Sequence, residues 1–122
     1  SRPDLINAAF NSITYQTKDI IDCLTRSGIE VKSLNVDGGM TANKTFVKQV
    51  ANLLNIEVSV PENTESTARG VAILAGIASK TFNLNLISEQ KRVSVYPDAD
   101  AHSLMSKDYK KWKEIILKLL SP

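Results

Sequence analysis

"LNVDGGMTANKTFVKQV", residues 34–50, decides how this chain folds. A short apolar run leads into it, two adjacent glycines follow Asp37, and Phe46, Val47 and Val50 then recur at helical spacing. That is a strand, a tight turn and a helix. The strand pattern covers 31–36, and the helical repeat runs on through Ala51, Leu53 and Leu54. "IEVSV" at 56–60 alternates as a second strand that Pro61 stops. The unit is βαβ, and its two strands are expected to be parallel with a right-handed crossover. With only 5 glycines in 122 residues, two side by side at the turn need an explanation.

On the N-terminal side, Leu5, Ile6, Ala9, Phe10, Ile13, Ile20, Ile21, Cys23 and Leu24 form a helical stripe over 3–24, weakest at 14–17. Pro3 suits a first turn and Gly28 a C-terminal stop. On the other side, "PENTES" is a turn cluster rich in capping residues. "TARGVAILAGIA" at 67–78 then reads as a helix with small residues from Gly70 to Gly76. A less regular stretch passes Leu84 and Ile87. "RVSVYP" is a possible third strand ended by Pro97, and a last helix over 106–120 carries Tyr109, Trp112, Ile115, Ile116, Leu119 and Leu120 on one face. Tyr109 and Trp112 fit a helix face packed on the core.

Composition narrows the function classes. At 43% hydrophobic residues, 122 residues support one core and leave no room for two full domains. Fifteen Lys and Arg against thirteen Asp and Glu give a net charge of +2. The basic residues are scattered except for Lys107, Lys110, Lys111 and Lys113, which argues against a nucleic-acid surface. No apolar run is long enough to span a membrane, the N-terminus lacks the pattern of a signal peptide, and the single Cys23 reads as a small buried hydrophobe. A cytoplasmic protein is expected. The chain starts without Met and almost at once in a helix, as a piece of something longer would.

The turn has two explanations on residue grounds alone. Glycine reaches positive φ at no steric cost, so the pair can simply bend the chain. Alternatively a flat ring or a phosphate lies against the bare backbone, near the free N–H groups of a helix N-terminus. Neither G-x-G-x-x-G nor G-x-x-x-x-G-K-[ST] occurs, so the common dinucleotide and P-loop fingerprints are excluded. Residues 37–43 do lie at the carboxyl end of a strand, where open α/β sheets bind ligands. Asn43 is either a helix cap or an amide able to meet the edge of a base with one donor and one acceptor. His102, Asp98 and Asp100 read as a solvated loop. With one histidine and one cysteine, no metal site is expected.

Several segments taken together carry a resemblance. "AAFNSITYQTKDIIDCL", then "LNVDGGMTANKTFVKQVANLLNIEVSVPENTESTARGVAILAGIA", then "YKKWKEIILKLL" resemble, in this order, the C-terminal part of the glycerol kinases among the FGGY carbohydrate kinases. That family shows E/N-S-I-A-Y-Q-T-R-D, V-D-G-G-M-x-x-N, a strand ending in Pro, E-x-T-A-L-G-A-A-x-L-A-G and a late W-K. The likeness is weakest over 81–105. Arg69 stands where the family has leucine, and Lys80 with Phe82 where it has a glycine and an aromatic residue.

The resemblance implies an α/β fold of the ribonuclease-H-like, actin-like ATPase class. Residues 1–122 would be the C-terminal part of its second domain, on the adenine side: a βαβα unit with an N-terminal packing helix and a C-terminal helix. Gly39 and Asn43 match the residues that line the adenine pocket in such kinases, Gly38 and Asp37 would support the turn, and the small residues of 70–76 would pack closely behind it. The enzyme implied transfers the γ-phosphoryl of ATP to glycerol with Mg²⁺. The catalytic residues, phosphate loops and metal ligands belong to the upstream chain, so no residue here is catalytic or a metal ligand and the segment alone is expected to be inactive. Another FGGY sugar kinase, or a non-catalytic interaction module that kept the fold, is the alternative. Three strands of the implied five-stranded sheet would precede residue 1. Isolated residues 1–122 are therefore expected to self-associate through an open strand edge, unless "RVSVYP" covers it.

Overall fold

Ser1 caps the first helix, α1 (Arg2–Arg26), with its hydroxyl on the Asp4 carboxylate at 2.6 Å. This is a computed structural model that describes residues 1–63, 65–81, 83 and 90–120. The 14–17 stretch is unbroken helix, in which the Thr14 and Thr17 hydroxyls donate back to the carbonyls of Phe10 and Ile13, each at 2.9 Å. Gly28, at φ +84°, ends α1, with Gly28 N–H on Thr25 O and Ile29 N–H on Leu24 O, both at 3.0 Å. A left-handed residue is needed at that position and glycine takes it freely.

Two parallel strands follow, β1 (Ser33–Asn35) and β2 (Glu57–Pro61), with Leu34 opposite Val58, and helix α2 (Lys44–Leu54) crosses between them. The βαβ unit is therefore as the periodicity predicts. β1 is shorter than the 31–36 pattern because it has a neighbour on one side only, although Val36 N–H still donates to Ser59 O at 3.0 Å. "RVSVYP" supplies a third strand, β3 (Arg92–Val95), antiparallel to β2 with Val93 opposite Val60. The order is β1-β2-β3. β3 thus takes the second side of β2, and among the described residues β1 pairs with β2 alone.

Ile21, Phe46, Val47, Val50, Ala51, Leu54 and Val58 form the main core, flanked by Phe10, Leu34, Val60 and Val95. α1 and α2 contribute the helical part, and alternate strand residues face them. A second cluster of Tyr15, Leu53 and Tyr109, with Met105 and Trp112 against it, seats the last helix, α4 (Ala99–Leu120). Tyr109 and Trp112 are packing residues, as expected. The Tyr109 hydroxyl donates to Asp19 at 2.6 Å and to Asp22 at 3.0 Å, and Lys113 pairs with Asp19 at 2.6 Å. Burial, with those two carboxylates, pushes the Tyr109 hydroxyl well above its ordinary range. Lys113 and then Tyr109 hold the Asp19 carboxyl below its own.

Three expectations are corrected here. α4 starts at Ala99, ahead of residue 106, so Asp100 and His102 are helical and Asp98 is its cap. The Asp98 carboxylate accepts from Ala101 N–H at 2.9 Å, and buried Asn52 anchors the end by accepting from Asp98 N–H at 2.9 Å and lying 2.8 Å, through its carbonyl, from His102 Nδ1. Cys23 is exposed, because the apolar stripe of α1 is wider than the face α2 covers and turns Ile21 inward but Ile20 and Cys23 outward. Helix α3 (Ser66–Ala78) buries Gly76 alone, and a side chain added at Gly70 would meet nothing within 4 Å, so the close packing expected from Gly70 onward does not occur at Gly70. Phe82, Leu84 and Ile87 lie outside the described residues.

Candidate functional site

The two glycines of the turn do different things. Gly38 has φ +101° and ψ 170°, a backbone state essentially restricted to glycine. Gly39 does not share it: no positive φ occurs there, and a Cβ built on it would meet nothing within 4 Å. Neither conformation nor internal packing therefore requires a glycine at 39. Its backbone faces open space.

A short 3₁₀ helix (Gly39–Ala42) follows, an element that the sequence pattern did not separate from α2. Thr41 locks it. Its N–H and its hydroxyl both donate to Gly38 O, at 3.0 and 2.7 Å, and the side chain is buried. Asn43 then caps α2, its Oδ1 accepting from Thr45 N–H at 3.0 Å and Phe46 N–H at 3.2 Å. Asn43 is exposed, and its amide NH₂ has no partner among the described residues. The cap has a chemical consequence: the Thr45 and Phe46 amides, which could have cradled a phosphate, are already used. The turn offers an approachable backbone and one side-chain donor, which suits a ring better than an anion.

Asp37 braces the bend. Its carboxylate accepts from Gly38 N–H at 2.6 Å. The Ser66 hydroxyl, then that amide, and the charge of Arg92 hold the Asp37 carboxyl below the usual carboxylate range. Ser66, the first residue of α3, therefore lies beside the turn after β1. Thr41 and Ser66 are the site residues that reading the sequence missed. Thr41 was legible in its spacing, three residues after the bend, whereas Ser66 depends on a contact 29 positions away from Asp37 that no local pattern encodes.

A groove of about 700 Å³ lies between α2 and the β2–β3 pair, lined among others by Thr41, Lys44, Val60, Pro61, Val93 and Val95. Neither Gly39 nor Asn43 lines it. Half of its lining is valine and proline, and Lys48 in that lining already donates to Tyr96 O at 2.7 Å, so the turn remains the better candidate for reading a base edge. Among the described residues no group of three or more His, Cys, Asp or Glu is arranged to hold a metal ion. No helix of the described chain is long and apolar enough to cross a membrane.

Comparison with known proteins bears on this arrangement. Residues 1–79 match the family model for the C-terminal domain of the FGGY family of carbohydrate kinases. A glycerol kinase of Alkaliphilus metalliredigens is 35% identical over 119 residues, 95% of this chain and 24% of that protein. A glycerol kinase of Shewanella piezotolerans is 43% identical over 79 residues, 64% of this chain and 16% of that protein. The chain thus spans a quarter or less of the length of these relatives. Among solved structures, a xylulose kinase from Brucella ovis superposes with a TM-score of 0.76 at 22% identity, over 98% of this chain and 25% of that one. Plasmodium falciparum glycerol kinase, solved with ADP, superposes with a TM-score of 0.67 at 25% identity, over 96% and 24%. The fold is the mixed α/β arrangement of the actin-like ATPase class that these kinases share, and the chain belongs to the FGGY family of carbohydrate kinases, by way of that family's C-terminal domain.

Proposed function

We propose that this chain forms the adenine side of the ATP pocket in a cytoplasmic glycerol kinase, as the C-terminal part of the second domain. The observation that carries the proposal is the open backbone at Gly39, where the chain itself has no need of a glycine. A ring stacked there would be excluded by any larger side chain. Gly38 makes the bend, Asp37 and Thr41 hold it, and Asn43 presents its NH₂ to a ring acceptor while its oxygen stays on the helix cap. The ADP complex of the Plasmodium falciparum glycerol kinase supports nucleotide as the ligand. The glycerol kinases aligned at 35–43% identity favour glycerol over another polyol, whereas the xylulose kinase likeness speaks for the fold alone.

Phosphoryl transfer of this kind is mainly positioning and charge stabilisation. The chain's share is positioning. The residues described here offer no ligand set for Mg²⁺, so the ion, which would neutralise charge on the transferred phosphoryl group, and the catalytic residues would be held by other parts of a complete kinase.

A chimera tests the proposal: residues 1–122 replace the aligned C-terminal quarter of the Alkaliphilus metalliredigens glycerol kinase, and ATP-dependent glycerol phosphorylation is assayed. Turnover is expected in the chimera and none from 1–122 alone. A folded chimera without turnover contradicts the proposal.

A further inference from the structure

Thr41 is the one buried residue between Asp37 and Thr45, while Gly39, Met40, Ala42 and Asn43 around it are exposed. It stands midway between the open backbone at Gly39 and the free amide of Asn43. Its two bonds to Gly38 O are not equivalent. The backbone N–H, at 3.0 Å, already closes the 3₁₀ turn, and Asn43 N–H closes the next one on Met40 O at 3.1 Å. The hydroxyl, at 2.7 Å, is a second donor on the same carbonyl and uses its other lone pair. Neither the closure of the turn nor burial asks for a hydroxyl here. The groove that Thr41 helps to line holds Val47, Val60, Val93 and Val95, so valine, of nearly the same shape, would suit that wall.

What the hydroxyl adds is a fixed peptide plane. The carbonyl of Gly38 and the N–H of Gly39 belong to one rigid peptide unit, and with a glycine on each side that unit turns more easily than any other in the bend. We propose that Thr41 is a positioning residue for the nucleotide base, its hydroxyl holding the Gly38–Gly39 peptide at a set distance and angle from the Asn43 amide. This rests on the reading of Gly39 and Asn43 as the adenine side of the pocket. A plane fixed before the ring arrives need not be ordered on binding, so the contact is stronger than the same contact on a loose bend.

The test uses the chimera that carries residues 1–122, with Thr41→Val, Thr41→Ser and, as a control, Gly39→Leu, and reads the Michaelis constants for ATP and glycerol separately. Thr41→Val is expected to raise the constant for ATP roughly fivefold or more and to leave that for glycerol within about twofold. Thr41→Ser keeps the hydroxyl and loses the methyl group, and is expected to bring the ATP constant back to within about twofold of the original. A Michaelis constant does not depend on how much of the enzyme is folded, so a merely structural role would lower the melting temperature and the rate without moving it. An unchanged ATP constant in Thr41→Val would overturn the proposal, as would Thr41→Ser as impaired as Thr41→Val. Gly39→Leu separates the two possible failures. If it raises the ATP constant while Thr41→Val does not, the adenine reading stands and the role of Thr41 falls; if it too changes nothing, or the folded chimera does not turn over, both fall.

Discussion

Helices α2 and α3 each follow a parallel strand of the same small sheet, yet only α2 is covered. α2 buries seven of its eleven residues between α1, α4 and the strands, while α3, although rich in alanine, valine and leucine, leaves Val71 63% and Leu74 68% exposed. The difference lies in the shape of the pattern. α2 carries an apolar stripe with lysines opposite and needs one cover, whereas α3 is apolar nearly all round, and a helix of that kind is stable when surrounded. The described residues cover only part of it. Among the described residues, α2 is enclosed and α3 buries Gly76 alone.

The sharpest way to break this contrast is truncation. Leu53, fully buried in the cluster with Tyr15 and Tyr109, should lose about 3–4 kcal/mol of stability as Leu53→Ala. Leu74→Ala should change stability by no more than about 0.5 kcal/mol. Urea unfolding of both variants decides it, and equal losses would mean that α3 is buried after all.

Within the turn, the contrast repeats at the scale of two residues. Gly38→Ala forces a side chain into φ +101° and should cost about 1–3 kcal/mol, while Gly39→Ala should stay within about 0.5 kcal/mol. Thermal melts of the two variants measure this directly. A large loss at Gly39 would assign both glycines to folding.

The smallest effect concerns how the helices end. α1 and α3 close with the same pair of backbone bonds, but at the left-handed position α1 has Gly28 and α3 has Lys80, at φ +59°. Lys80→Gly should stabilise the chain by roughly 1 kcal/mol if the end of α3 is formed as described. No gain would show that this end is not held.

The sequence made much of this legible, and the misses share a cause. α1, α2 and β2 were readable because their burial is settled by residues nearby in the chain. Residue 99 as the start of α4 was not, since Asp98 reads as a loop acid until Asn52, 46 positions earlier, accepts its N–H. Cys23 failed because periodicity marks an apolar stripe without saying how much of it a neighbour covers. The glycine pair was readable as a turn, but only the dihedral angles separated the residue that bends from the residue left open.

The central claim is that Gly39 is kept for a ligand rather than for the fold, and steady-state kinetics of the chimera with Gly39→Leu test it most directly. The account predicts that the Michaelis constant for ATP rises at least about tenfold, the loss of about 1.4 kcal/mol or more of nucleotide binding, while that for glycerol stays within a few-fold and the melting temperature is unchanged. An unchanged constant for ATP in a folded, active variant would contradict it.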